Sequence, residues 1–270
     1  MSTSVSNGAA DGWWQGPRRT WASFILCIAS VLGLFDTASA ESKWAELKWA
    51  DVKWSGSLAL TSDYVQQGLS QTRGEPALQG GLRAQIDDKW TVGAWASSID
   101  RYYGPSAKAE IDVYAARAWK ISPEWVASLM ATHYFYPNDG FRIRYDYDEL
   151  AASLGYRSSL FATVAWSPNY AEFSYYGVAD DRSALSYELS ASQPILGGWS
   201  ANVGVGLRDL SELYDERYWY GHAGLMLAAK RLTVHLTYTY VDRTARELFG
   251  HERATNTWFG TLIWRFGNLN

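Results

Sequence analysis

The segment Leu232-Thr-Val-His-Leu-Thr-Tyr-Thr-Tyr240 decides the fold of this chain, because every second residue in it is apolar or aromatic. The residues between them are Thr, His, Thr and Thr. An alternation with a period of two is typical of a β-strand that has one apolar face and one polar face. We expect the apolar face to contact lipid and the polar face to contact water.

The same alternation recurs along most of the chain. Leu185, Tyr187 and Leu189, for example, alternate with serines and Glu188. Twelve segments qualify as predicted strands, at residues 55–65, 76–86, 90–98, 110–119, 125–136, 146–156, 160–167, 183–193, 199–207, 218–228, 232–241 and 255–266.

The lengths of the connections between these segments indicate how the strands are arranged. Short and long connections alternate along the chain. The short ones are at 87–89, 120–124, 157–159, 194–198 and 229–231, and the long ones are at 66–75, 99–109, 137–145, 168–182, 208–217 and 242–254. In an up-and-down barrel all turns at one rim are short and all loops at the other rim are long. Closure is required in lipid, because an open edge would leave backbone groups without hydrogen bonds. The sequence therefore predicts an all-β fold, an up-and-down antiparallel transmembrane β-barrel of about twelve strands.

The start of the chain has the features of an export signal. Arg18 and Arg19 precede an apolar run that ends near Phe35, and Ala38-Ser39-Ala40 supplies small residues at a cleavage site. We predict a signal peptide at 1–40, a periplasmic leader at 41–54 and an outer-membrane barrel at 55–270. The single cysteine, Cys27, lies in the apolar run, so the processed chain needs no disulfide.

Composition narrows the possible partners. The formal charge is −4, and it stays −4 without the presequence, which holds two Arg and two Asp. Without a basic surface, nucleic acid is not an expected partner. The chain has 15 Trp and 18 Tyr but only 9 Phe, and this bias towards amphipathic rings favours a membrane–water interface. We therefore expect outer-membrane lipid as a partner, although an aromatic-rich soluble β-protein would have a similar composition.

One stretch of the sequence is similar to a known family. The segments Leu60–Thr72 and Pro76–Leu82 resemble the opening of the Gcw_chp family. Further segments that resemble the family are Gly93–Ser97, Glu110–Tyr114 and Tyr134–Pro137. These are proteobacterial proteins of unknown function that are generally taken to be outer-membrane proteins. The resemblance implies the fold and the location, and it implies no reaction or substrate. This chain has Gln66-Gln67 where the family usually has an aromatic-Arg pair, so a lumenal role of that Arg would be missing here.

Polar residues on the predicted inner faces are the candidates for a lumenal site. They carry charges of both signs, which would produce a transverse field in a weakly selective, water-filled pore. The alternative is that these groups pair across the lumen and brace the barrel. The candidate lumen-lining residues are Asp63, Gln79, Arg83, Gln85, Asp112, Glu188, Asn202, Arg208, His235 and Arg265.

Aromatic residues are concentrated in one predicted long loop, residues 168–182. Tyr170, Phe173, Tyr175 and Tyr176 are candidate ligand contacts there, because stacked rings bind sugars and other flat ligands. The alternative is that they anchor the rim at the membrane interface.

The sequence supports no catalytic or metal site. None of the four histidines has a partner at metal-ligand spacing, and no phosphate-binding glycine loop is present. His222 and His235 fall on the lumenal parity, whereas His133 is near a strand end and suits an outward position. Since Ser128 is too far from His133 to serve as a nucleophile, a lipid hydrolase is the weakest of three hypotheses. We expect no enzyme and no cofactor.

The leading functional hypothesis is a small porin-like passive channel for polar solutes in a Gram-negative outer membrane. The second is a plugged structural or adhesive barrel that acts through its long extracellular loops. Phe266 near the end of the last strand resembles the signal read by barrel assembly machinery, which is therefore an expected partner.

Overall fold

The computed structural model describes residues 52–86, 89–100, 108–137, 145–174 and 177–267, all within one unit, Lys48–Asn270. Of residues 171–174 and 177–181, only the backbone is described. The predicted signal peptide at 1–40 and the leader up to residue 51 lie outside the described residues.

Twelve long strands and two very short ones make up the described sheet structure. The short strands, β2 and β3, form a separate two-stranded hairpin. The strands are β1 Lys53–Thr61, β2 Val65–Gln66, β3 Leu69–Ser70, β4 Ala77–Gln85, β5 Trp90–Ser98, β6 Ala109–Lys120, β7 Trp125–Phe135, β8 Tyr147–Tyr156, β9 Leu160–Ser174, β10 Gly177–Pro194, β11 Trp199–Leu210, β12 Glu216–Ala229, β13 Leu232–Val241 and β14 Thr257–Gly267.

The twelve long strands close into an antiparallel barrel in the order β1-β14-β13-β12-β11-β10-β9-β8-β7-β6-β5-β4. Closure is made by β1, which pairs with β14 on one side and with β4 on the other. Leu58, for example, lies opposite both Trp264 and Gly80. The predicted closed barrel of about twelve antiparallel strands is confirmed.

The two faces of the wall differ as the alternation predicted. Large apolar side chains are exposed on the outside, among them Leu78 at 64% and Trp258 at 61%. Polar residues of the same strands, such as Gln79 and Thr257, point the other way because successive side chains alternate across a strand. The barrel therefore has an apolar outer wall and a largely polar inner wall.

One predicted loop is wrong. Residues 168–182 belong mostly to β9 and β10, which continue pairing with each other up to Ser174 and Gly177. Pro168 and Asn169 read as turn residues in the sequence, but the register shifts between Arg182 and Ala184, beside Ser167 and Tyr170. A bulge tolerates proline because no ladder hydrogen bond is required there. The Asn169 side chain replaces the missing ladder, since its Oδ1 accepts from the backbone N–H of Asp148 at 2.9 Å.

Two short helices lie in other long connections. Helix α1 is Ser211–Tyr214, and helix α2 is Arg243–Phe249. The Asp242 side chain caps α2 by accepting from the N–H of Ala245 at 3.0 Å. The buried face of α2 carries Ala245, Leu248 and Phe249, and it joins a cluster of buried tyrosines at the long-loop end of the barrel. Among the described residues, no helix has the length and hydropathy needed to cross a bilayer.

Candidate functional site

The connection between β1 and β4 folds into the barrel. We call residues 62–76 the inserted hairpin; it contains β2 and β3, joined by a turn at Gln67 and Gly68. Both turn residues have positive φ, 48° and 80°, which matches the twist of a tight hairpin. The sequence prediction ran the first strand to residue 65, whereas the strand ends at Thr61, so the hairpin was missed.

The tip of the inserted hairpin reaches the opposite wall. The Tyr218 hydroxyl donates to the carbonyl of Gln67 at 3.3 Å, and Gln67 Nε2 donates to Ser186 Oγ at 3.4 Å. Ser186 lies on β10, which is six strands from β4 around the barrel. At Gly68, an added Cβ would lie 2.4 Å from Val241 Cγ1, so the backbone touches the wall directly. The hairpin therefore spans the lumen.

Asp63 holds the hairpin in shape. Its Oδ1 accepts from Ser70 Oγ at 2.5 Å and from Thr72 Oγ1 at 2.9 Å, and the residue is only 4% exposed. The Thr61 hydroxyl donates to the Asp63 carbonyl at 2.7 Å, which ties this turn to the end of β1. Asp63 was predicted to line the wall; it instead lies beyond the end of β1, inside the hairpin.

The connection after β13 covers the hairpin. The Ser70 N–H donates to the Arg253 carbonyl at 2.8 Å, and Arg253 Nε donates back to the Ser70 carbonyl at 3.4 Å. Phe249 at the end of α2 packs against Tyr218 with ring centroids 5.9 Å apart. Helix α2 and the hairpin thus share one buried core at the long-loop end.

A clasp at the long-loop rim joins the hairpin to the end of β5. Arg73 forms an ion pair with Asp100, which also pairs with Lys108 at 3.1 Å. The hydrogen bond from Arg73 holds the pKa of the Asp100 carboxyl below its usual value. The N–H of Asp100 donates to the Gln71 carbonyl at 2.8 Å, so the clasp acts on the hairpin backbone as well.

Beside the wall residues that contact the hairpin tip, one buried arginine is braced by aromatic and acidic groups. Arg208, 1% exposed, lies over the Tyr170 ring at 4.5 Å, and its Nη1 is 4.0 Å from Glu149 Oε2. The Tyr134 hydroxyl donates to Glu149 at 3.3 Å, and the Tyr134 ring stacks on Tyr147 at 4.3 Å. Tyr170 therefore points into the lumen from β9 rather than standing in a loop. The Phe173 side chain and all of Tyr175 and Tyr176 lie outside the described residues, so their predicted role as ligand contacts stays a prediction.

Tyrosine hydroxyls also satisfy other lumenal carboxylates. The Tyr64 hydroxyl on the hairpin donates to Glu110 at 2.7 Å, and the Tyr220 hydroxyl donates to Glu188 at 3.0 Å. Burial raises the pKa of Tyr64 well above its usual value, so this residue acts as a neutral donor. The half of the lumen nearer the long-loop rim, which we call the upper half, is therefore a packed network of side chains. This packing agrees with the alternative that the polar groups pair across the lumen and brace the barrel.

The lower half of the lumen, towards the short-turn rim, contains a cavity of about 390 Å³. Arg83, Arg265 and Asp112 line it together with Trp95 and Tyr114. Trp95 also meets the hairpin, since its ring lies edge-on to Tyr64 at 5.3 Å. The cavity thus begins where the hairpin ends.

Glycines let the rings of Trp95 and Tyr114 lie flat on the cavity wall. An added Cβ at Gly93 would lie 2.5 Å from the Tyr114 hydroxyl oxygen, and one at Gly81 would lie 3.3 Å from Trp95 Cδ1. Each ring therefore occupies the space above a glycine of the neighbouring strand. Trp95 therefore points inward although it is aromatic, so its position does not follow the rule that apolar residues face outward.

The other predicted lumenal residues lie on the inner face. Gln79 Nε2 donates to Ser97 Oγ at 3.3 Å. Gln85 lies opposite Lys53 and Thr91, Asn202 opposite Ser192 and Gly224, and His235 opposite Met226 and Thr261. What these residues do for solutes stays a prediction.

His133 lies on the outer face, where its Nδ1 is 2.7 Å from Asp148 Oδ1. Asp148 also accepts from Asn169 Nδ2 at 3.0 Å. The residues that flank His133 on the same face are Ala131 and Phe135, which carry no nucleophile. Among the described residues, no group of three or more His, Cys, Asp or Glu could hold a metal ion.

The profile of a bacterial family of unknown function, Gcw_chp, matches residues 48–265. The chain belongs to the Gcw_chp family. No functionally curated protein sequence matches the chain significantly.

Among solved structures, the NanC porin matches with a TM-score of 0.53 at 10% identity, over 80% of this chain and 100% of that one. The KdgM porin matches with a TM-score of 0.48 at 8% identity, over 78% and 99% of the two chains. An outer-membrane channel from Pseudomonas putida F1 matches with 0.47 at 8% identity, over 80% and 95%. At these identities the NanC match shows the fold alone, and this Gcw_chp member has the transmembrane barrel fold found in porins.

Proposed function

We propose that this Gcw_chp protein is a porin-like channel of the outer membrane that passes small polar solutes by diffusion. The observation that supports the proposal is the cavity of about 390 Å³ below the hairpin, lined by groups of both charges inside an apolar-walled barrel. A wall built only for mechanical strength has no need of charged side chains that face open space.

The inserted hairpin sets the width of this channel. Among the described residues, the hairpin meets the lower wall through Tyr64, whose ring lies edge-on to Trp95. Its other contacts, including the bond from Tyr64 to Glu110, are with the upper wall and the connection after β13. Solutes therefore pass beside the hairpin, and the upper half of the lumen is the narrow part.

A plugged structural barrel is the second candidate, and a specific observation favours it. Glu110, Arg208, Tyr136 and Tyr218 are all fully buried in the upper half, so little space remains around them. Both candidates require the same location, with the apolar face in outer-membrane lipid, export by the presequence and recognition of the last strand by the assembly machinery.

Single-channel recording in a planar bilayer separates the two candidates. We expect small, steady ohmic steps from the intact barrel, and steps several times larger when Gly-Gly replaces Val65–Ser70. A matched control places Gly-Gly at Ile195 and Leu196, in a turn at the opposite rim, and should conduct like the intact protein. If neither the intact barrel nor the hairpin deletion conducts, the channel proposal is wrong and the structural barrel is supported.

A further inference from the structure

Three ionisable side chains, Arg83, Arg265 and Asp112, face the lower cavity, and none of them forms an ion pair with another described residue. Arg83 Nε donates to Ser55 Oγ at 2.8 Å and Arg265 donates to Thr233, but neither arginine forms an ion pair with a described carboxylate. Asp112 Oδ1 is buried and has no hydrogen-bond partner among the described residues. Arg208 and Glu149 in the upper half do pair, so the barrel braces some charges and leaves these three available.

The unpaired charges form two separate poles. In the sheet register, Asp112 lies opposite Trp95, Trp95 opposite Gly81, Gly81 opposite Ser57, and Ser57 opposite Arg265. Asp112 and Arg265 are thus four strands apart, about 19 Å along the wall at roughly 4.8 Å for each strand. Because all these side chains point inward, the ionic groups face each other across the cavity rather than touch.

Arg83 belongs to the cationic pole. It lies on β4, next to Ser55 on β1, and β1 in turn is the neighbour of β14, which carries Arg265. Two guanidinium groups so placed can hold one carboxylate by charge-assisted hydrogen bonds. At the other pole, the carboxyl group of Asp112 interacts with the nearby Glu110 and Glu149, and this acidic group suits one ammonium ion.

The region between the poles is uncharged and flat. Trp95 and Tyr114 lie against the wall above Gly81 and Gly93. Such rings offer a smooth surface to the neutral middle of a ligand. The cavity volume of about 390 Å³ lies in the usual range of small-molecule sites, about 300–1,000 Å³.

We propose that the lower cavity is a binding site for small zwitterions with well-separated charges, of the kind that short peptides carry at their two ends. The carboxylate contacts Arg83 and Arg265, the ammonium contacts Asp112, and the neutral backbone lies on Trp95 and Tyr114. This inference rests on the proposed function, because it names the class of solute that enters the same lumen. A solute with only one charge leaves the opposite pole unpaired in a partly desolvated site, which is unfavourable.

Three matched probes test the site: trialanine, N-acetyl-trialanine, which lacks the ammonium, and trialanine amide, which lacks the carboxylate. Their dissociation constants are measured on the processed protein in detergent by saturation-transfer NMR, a measurement that does not require conduction. We expect trialanine to bind at least about tenfold more tightly than either singly charged probe, because each lost contact involves a charged hydrogen bond. Equal affinities for the three probes, or no binding of trialanine, overturn the inference.

Variants of the cavity residues test which of them contacts the carboxylate end of trialanine and which contacts the ammonium end. In the double variant Arg83→Gln, Arg265→Gln, trialanine should lose its advantage over trialanine amide, and in Asp112→Asn it should lose its advantage over N-acetyl-trialanine. The matched control is Arg157→Gln, at a short turn where the arginine pairs with Glu124 at 2.5 Å. The control should bind all three probes as the unchanged protein does; variants that behave like the control contradict the assignment.

Binding of trialanine and conduction of ions are measured separately, so the two results can differ. A barrel that conducts ions but shows no preference for trialanine remains a channel without this site. A barrel that binds trialanine selectively but stays silent in the bilayer has the site and is not a channel.

Discussion

The contact between the hairpin tip and the far wall is open to a direct test through Gly68. Replacing Gly68 by alanine destabilises the docked hairpin in two ways. The φ of 80° at this position lies in the left-handed region, which costs a non-glycine residue about 1–2 kcal/mol. The alanine Cβ would also lie 2.4 Å from Val241 Cγ1 and 2.7 Å from Tyr220 Cβ, and overpacking of this kind costs typically about 1–3 kcal/mol.

Gly74 provides the matched control. It has the same φ of 80°, but nothing lies within 4 Å of an added Cβ. Gly74→Ala therefore meets the backbone cost alone, whereas Gly68→Ala meets both. The difference of about 1–3 kcal/mol corresponds to hairpin opening that is roughly 5–150 times more frequent in Gly68→Ala than in Gly74→Ala.

Hydrogen exchange followed by mass spectrometry measures this opening. The reporter amides are those of Ser70 and Gln71, which donate to the carbonyls of Arg253 and Tyr64 at 2.8 and 2.7 Å. They should exchange faster in Gly68→Ala, while the amides of the barrel strands stay unchanged. If the two variants exchange at the same rate, the tip does not press on the wall, and the argument that the hairpin spans the lumen is refuted.

Three further predictions concern the wall, the clasp and the cavity. Leu236→Arg should reduce the outer-membrane yield and Thr237→Arg should not, because Leu236 is exposed on the apolar face and Thr237 points inward opposite Gly224. A charge on the lipid face costs about 2–4 kcal/mol at the midplane of the bilayer. Equal yields of the two variants would show that the two faces of the strand are misassigned. The lowered pKa of Asp100 means that its contribution to hairpin docking is complete above about pH 4 and is lost as the pH falls through the folded-state pKa. The protection factors of the hairpin amides, which correct for the slower intrinsic exchange in acid, should therefore fall with pH. Asp100→Asn should already have lower protection at pH 7 and a smaller acid step, and an unchanged acid step would contradict this role. Gly93→Val should push the Tyr114 ring off the wall into the cavity and lower the single-channel conductance, and Gly80→Val, whose Cβ has 3.4 Å to its nearest neighbour, should not.

The polar outer-wall group of His133, Asp148 and Asn169 does not change the functional argument. A histidine paired with a carboxylate is one part of a hydrolytic site, but a nucleophile at hydrogen-bonding distance is the other required part. The residues two positions away on the same face are alanine and phenylalanine. The expectation that the chain is not an enzyme stays a prediction, which a lipid hydrolysis assay with His133→Ala as control would test.

The sequence predicted the direction of the side chains correctly wherever apolar residues face lipid and polar residues face the lumen. Val234 and Leu236 face outward and Thr233 and Thr237 face inward, as their period of two predicts. The pattern became ambiguous where an inward position is aromatic, as at Trp95, because a ring over a neighbouring glycine is stable on the water side as well. It also failed at Pro168-Asn169, since a local turn signal cannot reveal that a partner strand continues beside it.

The sequence by itself determined the closed barrel, its strand number and the side of the wall on which most strand residues lie, because these depend on the period of the chain and on the need to pair every backbone group in lipid. Only the tertiary structure decided which lumenal charges pair and which remain available. Asp63, Arg208 and Asp112 are all polar residues in the sequence, yet the first holds the hairpin, the second is braced by Glu149 and Tyr170, and the third faces the cavity. Those differences arise from contacts between strands that are far apart in sequence, which no local pattern records.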